Sequence, residues 1–133
     1  MLHSLLSQYL ADVETAIKEL KNSYIEHYSE EILTPLRINL RVRVRFVSGH
    51  LLEFNEAVIV KNGQISHLCY RYHLQDKQNK LVFRYDNAPH FPGLESFPHH
   101  KHLPNKVDST KKISIVEAIK EASLIIEYLG QRL

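Results

Sequence analysis

Two short stretches of alternating residues carry the chemistry this chain could do. Over 69–74, Cys69, Arg71 and His73 share one face of a predicted strand, and Tyr70, Tyr72 and Leu74 share the other. Over 81–86, Val82, Arg84 and Asp86 fall opposite Leu81, Phe83 and Tyr85. Asp76–Asn79 separates the two strands as a hairpin turn would, so Arg71, His73, Arg84 and Asp86 are expected to meet in one polar patch across the ladder. An imidazole shuttles protons near neutral pH, and Asp86 could orient the His73 ring and raise its pKa. Two guanidiniums grip a phosphate in bidentate fashion and stabilise charge on a pentavalent phosphorus. These are the needs of metal-free RNA cleavage, in which the 2′-hydroxyl is the internal nucleophile. The same alternation describes the solvated face of a half-covered sheet, and the choice turns on a register that the sequence does not state.

A second candidate site follows at once. Of nine histidines, four crowd between 90 and 102: His90, His99, His100 and His102. With Asp86 they offer donors that suit zinc, manganese or iron. His99, His100 and His102 are the metal candidates, because His100 and His102 could reach one ion from an extended segment. The spacing matches no zinc signature such as His-Glu-x-x-His. Packing of the histidines against Phe91 and Phe97 is an equal reading, as is binding of an acidic backbone with His90 and Lys101 as contacts. Asp86-Asn87-Ala88-Pro89 also reads as a turn in which Asp86 takes up backbone donors.

Arg37, Arg41, Arg43 and Arg45 share one strand face, which puts like charges about 7 Å apart along it. Such a row needs acids or a polyanion beside it. As a phosphate track it makes Arg41, Arg43 and Arg45 substrate-binding candidates. As structure, it pairs with Glu26, Glu30, Glu31 or Glu53. Glu56 shares its predicted face with Leu52, Phe54, Val58 and Val60, an unusual place for an acid. It is a catalytic candidate or the partner of an arginine. Cys69 reads as a small buried hydrophobe. His67 and His73 could share its strand face, without thereby making a Cys–His catalytic pair.

The elements that must position these groups fit one domain, residues 1–133, with 44% apolar and 24% charged residues. That length excludes an attached second domain or a barrel of eight βα units. One cysteine excludes a disulfide framework and a multi-thiolate zinc site. No apolar run approaches the roughly 20 residues of a membrane helix. The first residues lack a basic leader, and Asp12 and Glu14 interrupt the apolar stretch, so a soluble cytoplasmic protein without membrane contact is expected. The net charge of +2 is by itself no argument for nucleic acid.

Residues 2–22 carry apolar positions at three and four and predict an amphipathic helix. Residues 24–34 read as helix or irregular strand, and Pro35 ends either. From Leu36 the period becomes two. Strands over 36–46, 51–60, 65–75 and 80–86 are joined by Ser48-Gly49, Asn62-Gly63 and Asp76–Asn79, and such short connections mean an antiparallel meander. Pro89, Pro92, Pro98 and Pro104 break 87–112 into a long His/Pro-rich loop. A final helix starts near Ser114, where Ser114 and Glu117 form a capping box and Ile113 staples onto Ala118, and Gly130 suits its end. The fold class is α+β: a meander of four or five strands covered by an N-terminal and a C-terminal helix.

Tyr70-Arg71-Tyr72-His73, the run Leu81 to His90 and Phe97-Pro98-His99-His100-Lys101-His102 resemble the TumE family of prokaryotic toxin–antitoxin proteins. The strand from Leu51 to Glu56 and the helix start at Ile113–Ile115 also fit, so the resemblance covers most of the chain. It implies the toxin half of a two-gene module, whose cognate antitoxin, acidic or carrying a DNA-binding module, covers the polar patch. Toxins of this size often act on RNA, an analogy of context. Two functions of different class follow. One is a metal-independent ribonuclease, needing no cofactor, that works through His73, Asp86, Arg71, Arg84 and Glu56. The other is a non-enzymatic protein that inhibits a cellular target by occupying it, or binds its antitoxin without catalysis. RNA and a second copy of the chain are the further partners to test.

Overall fold

Around Gly49, at Asn62-Gly63 and at Asn79 the chain turns on residues that tolerate left-handed backbone. Asn62 and Gly63 have φ of 52° and 71°, the pair of positive angles a two-residue hairpin turn requires. The computed structural model describes residues 1–131, so residues 132–133, the end of the expected domain span, lie outside the described residues. The order is α1 (Ser4–Lys18), β1 (Ser23–Thr34), β2 (Arg37–Phe46), β3 (Leu51–Lys61), β4 (Gln64–Gln75), β5 (Leu81–Asp86), β6 (His100–Leu103), β7 (Lys106–Ser109) and α2 (Ile115–Gln131). All strands lie in one sheet in chain order, each antiparallel to the next. The α+β meander expected from the pattern is present, with seven strands in place of four or five.

The extra strands have physical reasons for escaping notice. Segment 24–34 is strand β1, an edge whose alternation is broken by irregularities between Ile25 and His27 and between Ile32 and Thr34. Within 87–112, β6 and β7 are four residues each, too short for a periodic signal. Pro98 stands just before β6 and Pro104 in the β6–β7 turn, so the prolines bound strands where they had suggested their absence.

One face of the sheet holds the core. Ile38, Leu40, Val42, Val44, Leu52, Phe54, Val58, Tyr72, Leu74 and Phe83 pack there against Leu6, Leu10, Val13 and Ile17 of α1 and Ile115, Ala118, Ile119 and Ala122 of α2. Helix α1 is shorter than the 2–22 periodicity predicts. His3 caps it, its Nδ1 accepting the Leu5 N–H at 3.0 Å, while Leu2 and Leu20 pack on the core from outside the helix and extend the pattern. The capping box of α2 forms: Ser114 Oγ accepts the Glu117 N–H at 3.1 Å and Glu117 Oε1 accepts the Ser114 N–H at 3.2 Å. Ile113 and Ala118 are both buried, and α2 continues through Gly130. No helix among the described residues is long and apolar enough to cross a membrane. Among the described residues no helix covers the second face of the sheet.

Candidate functional site: an arginine-lined groove on the open sheet face

Register sets the open face into two rows that run across the strands. The first is Ser29, Arg41, Asn55, Arg71, Asp86 and His100, and the second is His27, Arg43, Glu53, His73, Arg84 and His102. The expected patch is therefore assembled, with Arg71 opposite Asp86 and His73 opposite Arg84. A groove of about 1190 Å³ follows the first row. Arg37, Arg41, Asn55, Arg71, Arg84, Asp86, His102 and Cys69 line it, with His27, Ser29 and Glu31 of β1 at one side and Asn87 to Phe91 at the other.

The arginine ladder divides in two. Arg45 lies 3.0 Å and Arg43 3.5 Å from the carboxylate of Glu26, and Arg43 lies 3.5 Å from Glu53. A hydrogen bond from Arg45 holds Glu26 below the usual carboxylate range. Both arginines stand outside the groove lining, neutralised by the protein's own acids. Arg41 donates to Asn55 Oδ1 at 3.0 Å. Among the described residues no acid lies within ion-pair distance of Arg37, Arg41 or Arg71. Of the other ladder acids, Glu31 accepts from Asn39 at 3.0 Å and Glu30 from Tyr28 at 2.6 Å.

At one end of the groove Asp86 gathers four partners. Its Oδ1 accepts the Ala88 N–H at 3.0 Å, the turn role foreseen for it, and lies 2.8 Å from His100 Nε2. Its Oδ2 lies 3.4 Å from Arg84 Nε and 3.5 Å from His102 Nε2. The Phe91 ring stands edge-on to both imidazoles, with centroids 5.0 and 5.7 Å away. Burial, then the charge of Arg84, pushes the His102 pKa down, against the pull of Asp86. Asp86 does not orient His73. That ring bonds Gln75 Oε1 at 3.0 Å, and burial, with Arg71 and Arg84 adding to it, lowers its pKa over the opposing effects of Gln75 and Glu53. His73 is absent from the groove lining. The unforeseen strand β6 supplies the imidazoles that take its place beside Asp86.

Other candidates lie elsewhere. His99 does not join His100 and His102: it stacks on Tyr70 at 5.8 Å with Nδ1 2.8 Å from the phenol oxygen, on the helix side of the sheet. Lys101 also turns to the helix side, 3.0 Å from Glu121 and 4.9 Å from the Tyr85 ring centre. His90 is exposed on the groove wall. Glu56 borders the groove, yet its buried carboxylate bonds Tyr9 of α1, Tyr72 and His67. Cys69 is exposed on the open face, where a buried residue was expected. An irregularity between the Ala57 and Val58 pairings puts His67 on the face opposite Cys69. Phe91 packs on His100 and His102, as the sequence allowed, while His27 and Asn55 join the groove unforeseen. A histidine beside an irregular pairing carries no periodic mark, whereas Asn55 alternates with Glu53 and was open to detection.

No curated protein and no solved structure matches this chain. A family model described as Toxin TumE matches residues 12–133, a span that holds all seven strands, α2 and the three quoted motifs. On that match the chain belongs to the Toxin TumE family.

Proposed function

We propose that this chain is a toxin that acts on RNA, cleaving it in the groove of the open sheet face. One observation carries the reading: Arg37, Arg41 and Arg71 line a single groove with no acid within ion-pair distance of them among the described residues, and it ends where Arg84, Asp86 and His102 converge. Guanidiniums in that arrangement suit a run of phosphates. When a 2′-hydroxyl attacks the neighbouring phosphorus, the bond to the 5′-oxygen of the next nucleotide breaks to leave a 2′,3′-cyclic phosphate and a 5′-hydroxyl protonated from solvent; negative charge grows on the non-bridging oxygens, and Arg71 and Arg84 are the cations at hand. The Asp86 corner receives the 2′-hydroxyl proton. His73 is given no direct part. The antitoxin expected of a two-gene toxin module would cover the groove and present acids to Arg37, Arg41 and Arg71.

The test is cleavage of a mixed RNA pool by the purified full chain, with and without EDTA. Arg71→Ala and His102→Ala should each lower the rate by about 100-fold or more while the circular dichroism stays that of the parent. His73→Ala should retain activity. If His73→Ala is the inactive variant, catalysis returns to the β4–β5 pair. If RNA survives intact under every condition while still binding, the non-enzymatic reading replaces this one.

A further inference from the structure

We propose that Asp86, His100 and His102 form a binding site for one divalent transition-metal ion, with zinc the ion their donors suit best. One donor atom from each lies within 4.8 Å of the others. Donors on a tetrahedral zinc stand roughly 3.4 Å apart, from bonds of about 2.0–2.1 Å. The widest pair must therefore draw in by up to roughly 1.4 Å when the ion binds.

The strongest indication is at His100, whose side chain is 1% exposed. Its Nδ1 lies 2.9 Å from the Pro98 carbonyl oxygen, which can only accept, so Nδ1 carries a proton. Nε2 then sits 2.8 Å from Asp86 Oδ1 without hydrogen-bond alignment, and it has no other partner. If Nε2 is bare, two lone pairs face each other in a buried place. If Nε2 is protonated, a buried N–H lacks an aligned acceptor, which is costly. A cation bound by both atoms removes the repulsion in the first case and, once the Nε2 proton has left to solvent, the unmet donor in the second, with the pair opening from 2.8 Å to roughly 3.4 Å.

The surroundings are those of a ligand set. A metal-bound histidine usually gives its second N–H to a backbone carbonyl, as His100 does to Pro98, and the carboxylate ligand is itself hydrogen-bonded, as Asp86 is by Ala88. Asp86 and His102 also line the groove, so a fourth coordination position opens towards whatever the groove holds. Arg84 lies 3.4 Å from Oδ2 and leaves Oδ1 to face His100. His99, on the helix side, takes no part. In the RNA reading the two roles exclude each other: with the ion bound, Asp86 and His102 would be its ligands and would not take the 2′-hydroxyl proton, so the metal site stands independently of that reading.

The full chain, stripped with EDTA and desalted, is titrated with zinc chloride against a chromophoric zinc chelator. One equivalent should bind, and manganese should bind more weakly. His102→Ala is the primary variant, because its side chain is 16% exposed and its loss threatens folding less than loss of His100. It and Asp86→Asn should each weaken zinc binding at least tenfold, with folding checked by circular dichroism. His99→Ala should bind as the parent does. A folded parent that takes up no stoichiometric zinc overturns the proposal. So does equal binding by His102→Ala and Asp86→Asn, which would place the ion on surface histidines such as His90. RNA cleavage does not enter the readout, so its absence leaves the metal site untouched.

Discussion

Glu56 is 3% exposed, and its carboxylate accepts from the phenols of Tyr9 and Tyr72, the latter at 2.5 Å, and meets His67 Nε2 at 2.9 Å. A buried carboxylate needs such partners, since an unpaired one is strongly destabilising. Burial first, then the Glu56 charge, drives both phenol pKa values above their usual range, so both phenols remain donors at neutral pH. Removing one hydrogen bond to a buried charge costs about 1.5–3 kcal/mol. Tyr72→Phe should therefore lower the urea midpoint by that equivalent and leave RNA binding in the groove unchanged; a loss of binding without a loss of stability would return Glu56 to the site. The anomaly of an acid on an apolar face was legible in the sequence. Its partners were not, because Tyr9 lies on a distant helix and His67 reaches the face only through an irregular pairing.

His73 gives a second prediction at this scale. Its ring is lowered by burial and by Arg71 and Arg84, against Gln75 and Glu53. Near the ordinary histidine value of about 6.5 the unfolded chain takes up a proton that the folded chain still refuses. The unfolded state then binds more protons, so this contribution is fully present above that pH and is lost as pH falls towards the folded value. His50, lowered by burial against the pull of Asp76, acts in the same direction. Urea midpoints at pH 7.5 and 5.5 should show lower stability in acid, with a smaller difference in His73→Gln. An unchanged difference in that variant would remove His73 from the account.

Elements were legible where a period ran long enough to declare itself. The arginine-bearing β2 alternates over ten residues, whereas β6 offers four, and β1 is broken twice by bulges. The loss matters because β6 carries both histidines that meet Asp86: the sequence grouped His100 and His102 with Asp86 as donors, but the strand pairing that brings them together left no periodic mark. Turn chemistry was the more dependable guide. Gly49 and Gly63 both have positive φ, at 93° and 71°. A side chain held in left-handed backbone costs about 1–2 kcal/mol. At Gly63 an added Cβ meets nothing within 4 Å, so Gly63→Ala should cost about that backbone term alone. At Gly49 the Cβ would also stand 2.5 Å from Lys77 Cβ, and the β4–β5 turn must give way. Gly49→Ala should be the more destabilising of the two in thermal melts, and equal losses would mean that the Lys77 contact yields freely.

Across the whole molecule the net charge of +2 conceals how the charge is distributed. Glu26 and Glu53 spend themselves on Arg43 and Arg45, while Arg37, Arg41, Arg71 and Arg84 line one groove on the face the helices leave open. The sequence ladder suggested a track along β2; the fold sets the unpaired arginines across the strands, so in the proposed RNA reading the phosphates would follow register and not the chain. Binding to a single strand releases counterions, and log affinity then falls with log salt at about 0.7 per phosphate neutralised. The three groove arginines with no acid in ion-pair distance, Arg37, Arg41 and Arg71, predict a slope of roughly −2 for a 2′-O-methylated RNA that resists cleavage, measured by fluorescence anisotropy between about 50 and 200 mM salt; Arg84 is already held by Asp86. Arg71→Ala should reduce the slope by about 0.7, and Arg45→Ala should leave it near the parent value because Glu26 already holds that charge. If Arg45→Ala flattens the slope as much as Arg71→Ala does, the polyanion runs along β2 after all, and the groove is not its path.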